Sequence, residues 1–221
     1  LIFMHCSAFI MPVIIREFPS LMNIELWNIT LVRWGEEAAV SAKLHPMLLC
    51  IFFSLVNLTS VPSGIIQTDL PEHLTDLEFS RTCLPLLEAT RSRFVVPVLS
   101  ELSLIGNNIE MIPDHTFATG SPSFYYDLAL SHNPLRQLPA MNLNVSIFNL
   151  ALEFTRLTDL PAWININIRV SLSLGGSPLC DCSSVSLPKF ARCGHDHQSW
   201  DPIGKERYPR ELVEPFRSLN A

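Results

Sequence analysis

Apolar residues between positions 99 and 113 of this chain recur at fixed intervals, with polar residues between them. The order is L-x-x-L-x-L-x-x-N-x-L-x-x-L-P, and it is filled by Leu99, Leu102, Leu104, Asn107, Ile109, Ile112 and Pro113. The alternation at positions four to six of this pattern predicts a short strand with one buried face. The proline at position fifteen predicts that the chain then returns without a regular helix. One such unit cannot bury its own apolar face, so the pattern requires neighbouring copies.

The same pattern can be laid along most of the chain. Its first positions fall at residues 21, 48, 74, 99, 125, 147 and 169. The copies follow one another at intervals of 22 to 27 residues, within the roughly 20 to 29 residues expected of a repeat of this kind. The sequence therefore predicts a solenoid in which equivalent positions of successive copies pack on each other.

The first 15 residues are mostly apolar, but they include His5 and Pro12 and are fewer than the roughly 20 that a membrane-spanning helix needs. Leu1, Phe3 and Cys6 instead occupy positions four, six and nine of the repeat pattern. We therefore expect residues 1–20 to be a truncated repeat. We also expect the chain to be part of a longer protein whose earlier repeats are missing here.

The pattern resembles that of leucine-rich repeats. The resemblance implies an α/β solenoid, a horseshoe with one parallel sheet on its concave face and mostly irregular or 3-10 segments on its convex side. Residues 1–179 would form the solenoid, with seven repeats after the truncated one, and residues 180–221 a cysteine-containing cap and tail. One convex segment, residues 35–44, has acidic residues in its first turn and Lys43 in its last. It is the one candidate for a helix.

Position nine of the pattern normally holds asparagine, whose amide satisfies backbone groups where the chain leaves the strand. In this chain the position holds Cys6, Ile29, Val56, Thr82, Asn107, Asn133, Thr155 and Ser177. Because Ile29 and Val56 cannot hydrogen-bond, we expect an interrupted ladder and irregular turns in the first half of the chain.

Several segments together resemble the leucine-rich-repeat surface proteins of oomycete-type plant pathogens. They include FPSLMNIELWNIT, VNLTSVPSGI, DLPEHLTDLEFSRT, LSLIGNNIEMIPD and LSLGGSPLC, and the resemblance runs from about Phe18 to the PFRSL near the end. It implies an extracellular or cell-surface repeat domain without known enzymatic activity, in proteins that are often tethered to a membrane. This chain itself contains no apolar run of membrane-spanning length.

Composition and charge narrow the possible functions. Apolar residues make up 48% of the chain and charged residues 16%, which is enough apolar material for a packed core. The chain contains 15 Lys and Arg residues and 21 Asp and Glu residues, which gives a net charge of -6. A chain of this charge that has no basic stripe repels nucleic acid. The seven histidines are scattered and no catalytic motif accompanies them, so we expect neither enzymatic activity nor a cofactor.

Three of the six cysteines cluster after the last repeat. SPLCDC, ending at Cys182, resembles the opening of a cysteine-bearing cap, which implies a disulfide from Cys193 to Cys180 or Cys182. The alternative is a zinc site formed by these cysteines with His195 and His197. Only one residue separates Cys180 from Cys182, whereas paired zinc ligands are usually separated by two to four residues. No metal is therefore expected.

Three N-x-S/T sequons, at Asn28, Asn57 and Asn144, are candidate glycosylation sites. Asn28 and Asn57 fall beside position nine, where the strand ends and a glycan could project. Chance occurrence is the alternative, because a chain of this length often carries one or two sequons.

Positions three, five, seven and eight of the pattern are expected to face the concave surface. The candidate partner-binding residues there are Glu25, Trp27, Asp76, Glu78, Arg81, Glu101, Asp127, His132, Glu153 and Phe154. Most are acidic, so the surface would attract a basic protein or peptide, and Trp27 and Phe154 are expected to be exposed contact residues. The sequence thus favours a recognition module. The alternatives are a structural or adhesive surface protein and a truncated gene copy without independent function.

Overall fold

Nine short strands form one parallel sheet in the computed structural model of this chain, which describes residues 1–67, 69–84, 99–114, 124–140, 145–181 and 186–194. In sheet order they are β1 (Ile2–Met4), β3 (Asn23–Ile29), β5 (Cys50–Val56), β6 (Asp76–Ser80), β7 (Glu101–Ser103), β8 (Phe124–Ala129), β9 (Ser146–Ala151), β10 (Ile168–Ser173) and β11 (Ala191–Arg192). A second parallel pair consists of β2 (Phe9–Ile10) and β4 (Leu31–Arg33). The described part of the chain is therefore a parallel-sheet β-solenoid.

The strand register follows the repeat alignment predicted from the sequence. Position four is held by Ile24, Ile51, Leu77, Leu102, Leu128, Leu150 and Leu172, and each of these residues pairs with the next across the sheet. All seven are buried in a single hydrophobic core. A shift of one residue would turn this row to the opposite face of the sheet, so burial of the row holds the register.

The return segments contain little helix. The described ones include 3-10 turns at Val13–Glu17, Glu36–Ala38 and Ser63–Ile65, and the α-helices Ile164–Asn167 (α1) and Pro178–Asp181 (α2) are four residues long. The mostly irregular and 3-10 character expected of these segments is confirmed for the described residues. The α/β description overstated the helical content.

The helix predicted for residues 35–44 is wrong, because only Glu36–Ala38 forms a 3-10 turn. Backbone N–H groups of this segment instead donate to the neighbouring turn of the solenoid. The N–H of Val40 donates to the carbonyl of Gly64 at 2.9 Å, and the N–H of Ala42 donates to the carbonyl of Asp69 at 2.6 Å. Packing between turns has therefore overridden local helix propensity.

Position nine behaves differently in the two halves of the chain. Asn107 Nδ2 donates to the carbonyls of Phe79 and Leu104, and its Oδ1 accepts from the backbone N–H of Thr82 at 2.9 Å. In the first half, Ile29 and Val56 are instead buried in the core, and their strands β3 and β5 continue through position nine as seven-residue strands. The expected irregular turns are therefore replaced there by longer strands.

The sheet continues into the C-terminal tail. Strand β11, in the predicted cap and tail, pairs with β10 through Leu172 and Ala191. A disulfide joins Cys180 to Cys193, which is one of the two pairings that the sequence allowed. Cys182, His195 and His197 lie outside the described residues.

None of the helices in the described residues is long and apolar enough to cross a bilayer.

Candidate partner-binding face

The open sheet face is the side of the nine-stranded sheet opposite to the core row at position four. It presents positions three, five and seven of each repeat. Asp76, Glu101 and Asp127 occupy position three in β6, β7 and β8 and are direct register neighbours. Since adjacent strands lie about 4.8 Å apart, these three residues form a continuous acidic column. The structure thus brings together the carboxylates that the repeat alignment had predicted to be adjacent.

The two outer members of the acidic column are more buried than an open surface would suggest. Asp76 is 8% exposed and Asp127 is 7% exposed, whereas Glu101 is half-buried, as is Glu78 at position five of β6. Glu101 and Glu78 are therefore the members of this part of the face that a partner can reach most readily.

The position-three row continues beyond the acidic column as a chain of hydrogen bonds. Asn149 Nδ2 donates to Asp127 Oδ1 at 2.8 Å, and Ser171 Oγ donates to Asn149 Oδ1 at 2.8 Å. Asp127 is thereby held in place from the C-terminal side. Glu153 at position seven of its repeat is also largely buried, and its backbone N–H donates to Ser131 Oγ at 3.1 Å.

The expectation that Trp27 is an exposed contact residue is wrong. Its side chain is 2% exposed, and its Nε1 donates to Glu25 Oε2 at 3.0 Å. Ser54, which has a small side chain, occupies the paired position in β5. Glu25 is buried with it, so these two residues stabilise the face and are not available to a partner as the structure stands.

The residues at position eight share a backbone conformation that the sequence analysis missed. All have positive φ values, between 49° and 71°, and they are His5, Asn28, Leu55, Arg81, Gly106, His132, Phe154 and Gly176. Only glycine adopts this left-handed conformation without strain, although Asn and His tolerate it better than most residues. Gly106 and Gly176 were the available signal, since they stand at the same position in two repeats.

The side chains at position eight pack along the row. The rings of His132 and Phe154 stack with centroids 4.5 Å apart, and both side chains are exposed as expected. Phe154 lies over Gly176, and a Cβ added at Gly176 would come within 2.5 Å of Cδ1 of the Phe154 ring. Arg81 lies over Gly106 in the same way. The glycines therefore make room for the preceding side chains, and His132 and Phe154 form an aromatic surface beside the open sheet face.

A second aromatic group, at the entry to the strands, was also missed. Phe124 and Phe148 meet edge to face with centroids 4.9 Å apart, and Tyr126 stacks on Phe148 at 5.8 Å. Tyr126 is exposed. Tyr126 and Phe148 occupy position two of their repeats, directly before Asp127 and Asn149 at position three. The repeat alignment could therefore have predicted that these two aromatic residues lie on adjacent strands.

Two of the three sequons lie on described residues. Asn28 and Asn57 are both exposed. Asn57 Oδ1 accepts a hydrogen bond from the backbone N–H of Leu31 at 2.8 Å, which does not involve Nδ2, the atom that carries a glycan. Asn28 Nδ2 is 3.0 Å from His5 Nδ1. Asn144 lies outside the described residues.

The cysteines, histidines and carboxylates of the described part of the chain form no group of three or more arranged to hold a metal ion. Cys180 and Cys193 are the two cysteines of the alternative zinc pattern that fall in this part, and they are joined in the disulfide.

A scan against protein-family models finds no match, and no curated protein is significantly similar to this chain.

Proposed function

We propose that this chain is a non-enzymatic leucine-rich-repeat recognition module that binds a basic protein or peptide on its open sheet face. The observation that carries the proposal is the acidic column, in which Asp76, Glu101 and Asp127 lie in register on adjacent strands beside Glu78. A surface that carries charge of one sign raises the association rate of a partner that carries charge of the opposite sign.

The finer architecture is part of the same proposal. We infer a leucine-rich-repeat horseshoe whose open sheet face is concave, on the basis of the repeat intervals, the register of position four and the asparagines at position nine. A concave surface would let one partner contact several repeats at once.

His132 and Phe154 are the proposed apolar contacts beside the acidic column. Their stacked rings are exposed, and aromatic residues contribute much of the binding energy in protein interfaces. Charge would govern mainly the rate at which the partner arrives, whereas the aromatic pair would govern mainly how slowly it leaves.

We also propose an extracellular or cell-surface location, with the complete protein tethered to a membrane. The resemblance to oomycete-type surface proteins supports this location. The disulfide between Cys180 and Cys193 supports it independently, because disulfides form and persist mainly in oxidising compartments.

Charge reversal tests the binding proposal. In the double variant Glu78→Lys and Glu101→Lys, we expect association of a tetralysine-containing peptide to slow by about tenfold or more at low salt, because the long-range attraction is reversed. The matched control is Glu72→Lys with Asp159→Lys, which makes the same charge change at exposed residues outside the strands. Stopped-flow or surface plasmon resonance would measure both rates.

Salt provides the second arm of this test. The difference between the double variant and its control should shrink between about 20 and 500 mM salt, since the Debye length falls from roughly 20 to roughly 4 Å. Equal association rates for the parent, the double variant and the control at low salt would contradict the proposal.

Glycosylation tests whether the sequons can be used. In a eukaryotic secretory host we expect Asn28 and Asn57 to carry glycans, because both side chains are exposed and a glycan at either is compatible with the fold. Glycosidase treatment of the parent and of the variants Asn28→Gln and Asn57→Gln, followed by intact-mass measurement, would show the occupancy. A parent protein that leaves the host without any glycan would count against the glycoprotein assignment.

A further inference from the structure

A hollow opens in the open sheet face across β6, β7 and β8. It is lined by Asp76, Glu78, Glu101, Leu102, Ser103, Asp127 and Ala129. Ser103 pairs with Ala129 on one side and with Glu78 on the other, so two small side chains lie next to each other in the hollow. Carboxylates from three different strands surround these small residues.

Ser103 provides an observation that is independent of the carboxylates. Its side chain is more than nine-tenths buried in the hollow, and its Oγ has no hydrogen-bond partner among the described residues. The Oγ atoms of Ser54, Ser80 and Ser177 also have no such partner, but of these four serines only Ser103 lines the hollow. A buried hydroxyl without a partner is destabilising. A bound group that carries N–H donors would supply the missing partner.

We infer that this hollow seats the ammonium group of one lysine side chain of the partner, an inference that rests on the proposed function. The hollow has a volume of about 30 Å³, whereas a single water-sized group needs roughly 10 to 15 Å³. An ammonium group with its last methylene therefore fits.

The arrangement of acceptors selects an ammonium group over a guanidinium group. An ammonium group directs three rotatable donors to acceptors in different directions, and the acceptors here come from separate strands. A guanidinium group is planar and is best bound by one carboxylate in a bidentate manner. The partner is thus expected to present lysine, and not arginine, at this point of the interface.

Filling the hollow tests the inference without changing any charge. The variant Ser103→Leu should weaken the binding of the tetralysine-containing peptide by about tenfold, the usual effect of losing a hydrogen bond to a charged group. The matched control is Ser173→Leu, which makes the same change at position five of β10, outside the hollow. Calorimetry would measure the affinities, and circular dichroism would verify folding. If Ser103→Leu fails to fold, Ser103→Ala removes only the hydroxyl and should weaken binding about threefold or more.

The small cations n-butylammonium and n-butylguanidinium test the selectivity, because they carry the same charge on the same alkyl chain. We expect n-butylammonium to shift the amide resonances of Ser103 and Ala129 at lower concentration than n-butylguanidinium, and Ser103→Leu to abolish these shifts. Equal affinities for the two cations, or shifts that persist in Ser103→Leu, would overturn the inference.

The failure of this inference can be distinguished from failure of the proposed function. If Ser103→Leu binds tetralysine as the parent does while Glu78→Lys with Glu101→Lys slows association, the face is acidic and functional but the hollow seats no ammonium group. If neither change affects binding, both the inference and the proposed function are wrong.

Discussion

At the scale of single residues, position eight combines an unfavourable backbone with favourable side-chain packing. A left-handed conformation costs a residue other than glycine about 1 to 2 kcal/mol, and His132 and Phe154 adopt it with φ values of 58° and 53°. Their stacked rings, with Phe154 lying over Gly176, offset part of this cost. The conformation also directs both rings to the solvent at the end of the strand, where a partner could contact them.

Gly176 provides a test of this packing. The variant Gly176→Ala should lower the free energy of unfolding by about 1 to 3 kcal/mol, because Ala is strained at this φ and its Cβ would meet the Phe154 ring. Urea denaturation would measure the change. In a Phe154→Ala background the loss should be smaller, since only the backbone strain remains. An equal loss in both backgrounds would contradict the proposed contact between the ring and residue 176.

At the scale of structural elements, neighbouring turns of the solenoid are joined by buried asparagine side chains. Asn133 Nδ2 donates to the carbonyls of Leu104 and Leu130, and its Oδ1 accepts from the backbone N–H of Ile109. Asn107 connects β6 and β7 in the same way. Each amide thus satisfies buried backbone groups of two successive turns, which no apolar side chain can do.

Replacing Asn107 should therefore be much more destabilising than replacing its neighbour. We expect Asn107→Ala to lower the free energy of unfolding by about 3 to 5 kcal/mol, because backbone groups of Phe79, Thr82 and Leu104 would lose their partners. Asn108→Ala is the matched control, since Asn108 is exposed and its replacement should cost roughly 0.5 kcal/mol or less. Thermal and urea unfolding followed by circular dichroism would compare the two. Similar losses for both variants would be evidence against the asparagine ladder.

At the scale of the whole molecule, the solenoid is a succession of turns in which each strand pairs only with its neighbours. Its stability is expected to be approximately a sum of repeat and interface contributions, so an end without a covering element would be weak. Strand β11 and the disulfide between Cys180 and Cys193 lie at the C-terminal end and cover β10. The tail thus serves as part of the fold.

Non-reducing peptide mapping of the protein from an oxidising secretory host should recover the peptide of Cys180 linked to that of Cys193. The variant pair Cys180→Ala and Cys193→Ala should lower the free energy of unfolding by about 2 to 4 kcal/mol, as for other loops of similar length. The exposed Cys83 supplies the control variant Cys83→Ala, which should have little effect. A linkage between Cys182 and Cys193, or a stoichiometric zinc ion, would contradict this pairing.

Much of the architecture could be predicted because the repeat pattern specifies which residues must be buried together. The row from Ile24 to Leu172 determines both the strand positions and their register, and the register then brings Asp76, Glu101 and Asp127 together. The predicted helix at residues 35–44 failed because local propensity does not include hydrogen bonds to the adjacent turn, such as that from Val40 to Gly64.

The sequence by itself thus determined the repeat interval, the sheet and the acidic column, because each follows from a linear pattern of burial and charge. Only the tertiary structure decided which members of the face are accessible. Trp27 is buried and donates its indole N–H to Glu25, and the hollow lies where the small residues Ser103 and Ala129 are paired across adjacent strands beside the carboxylates. The hollow brings together residues about 25 positions apart, so it forms only when successive turns pack side by side.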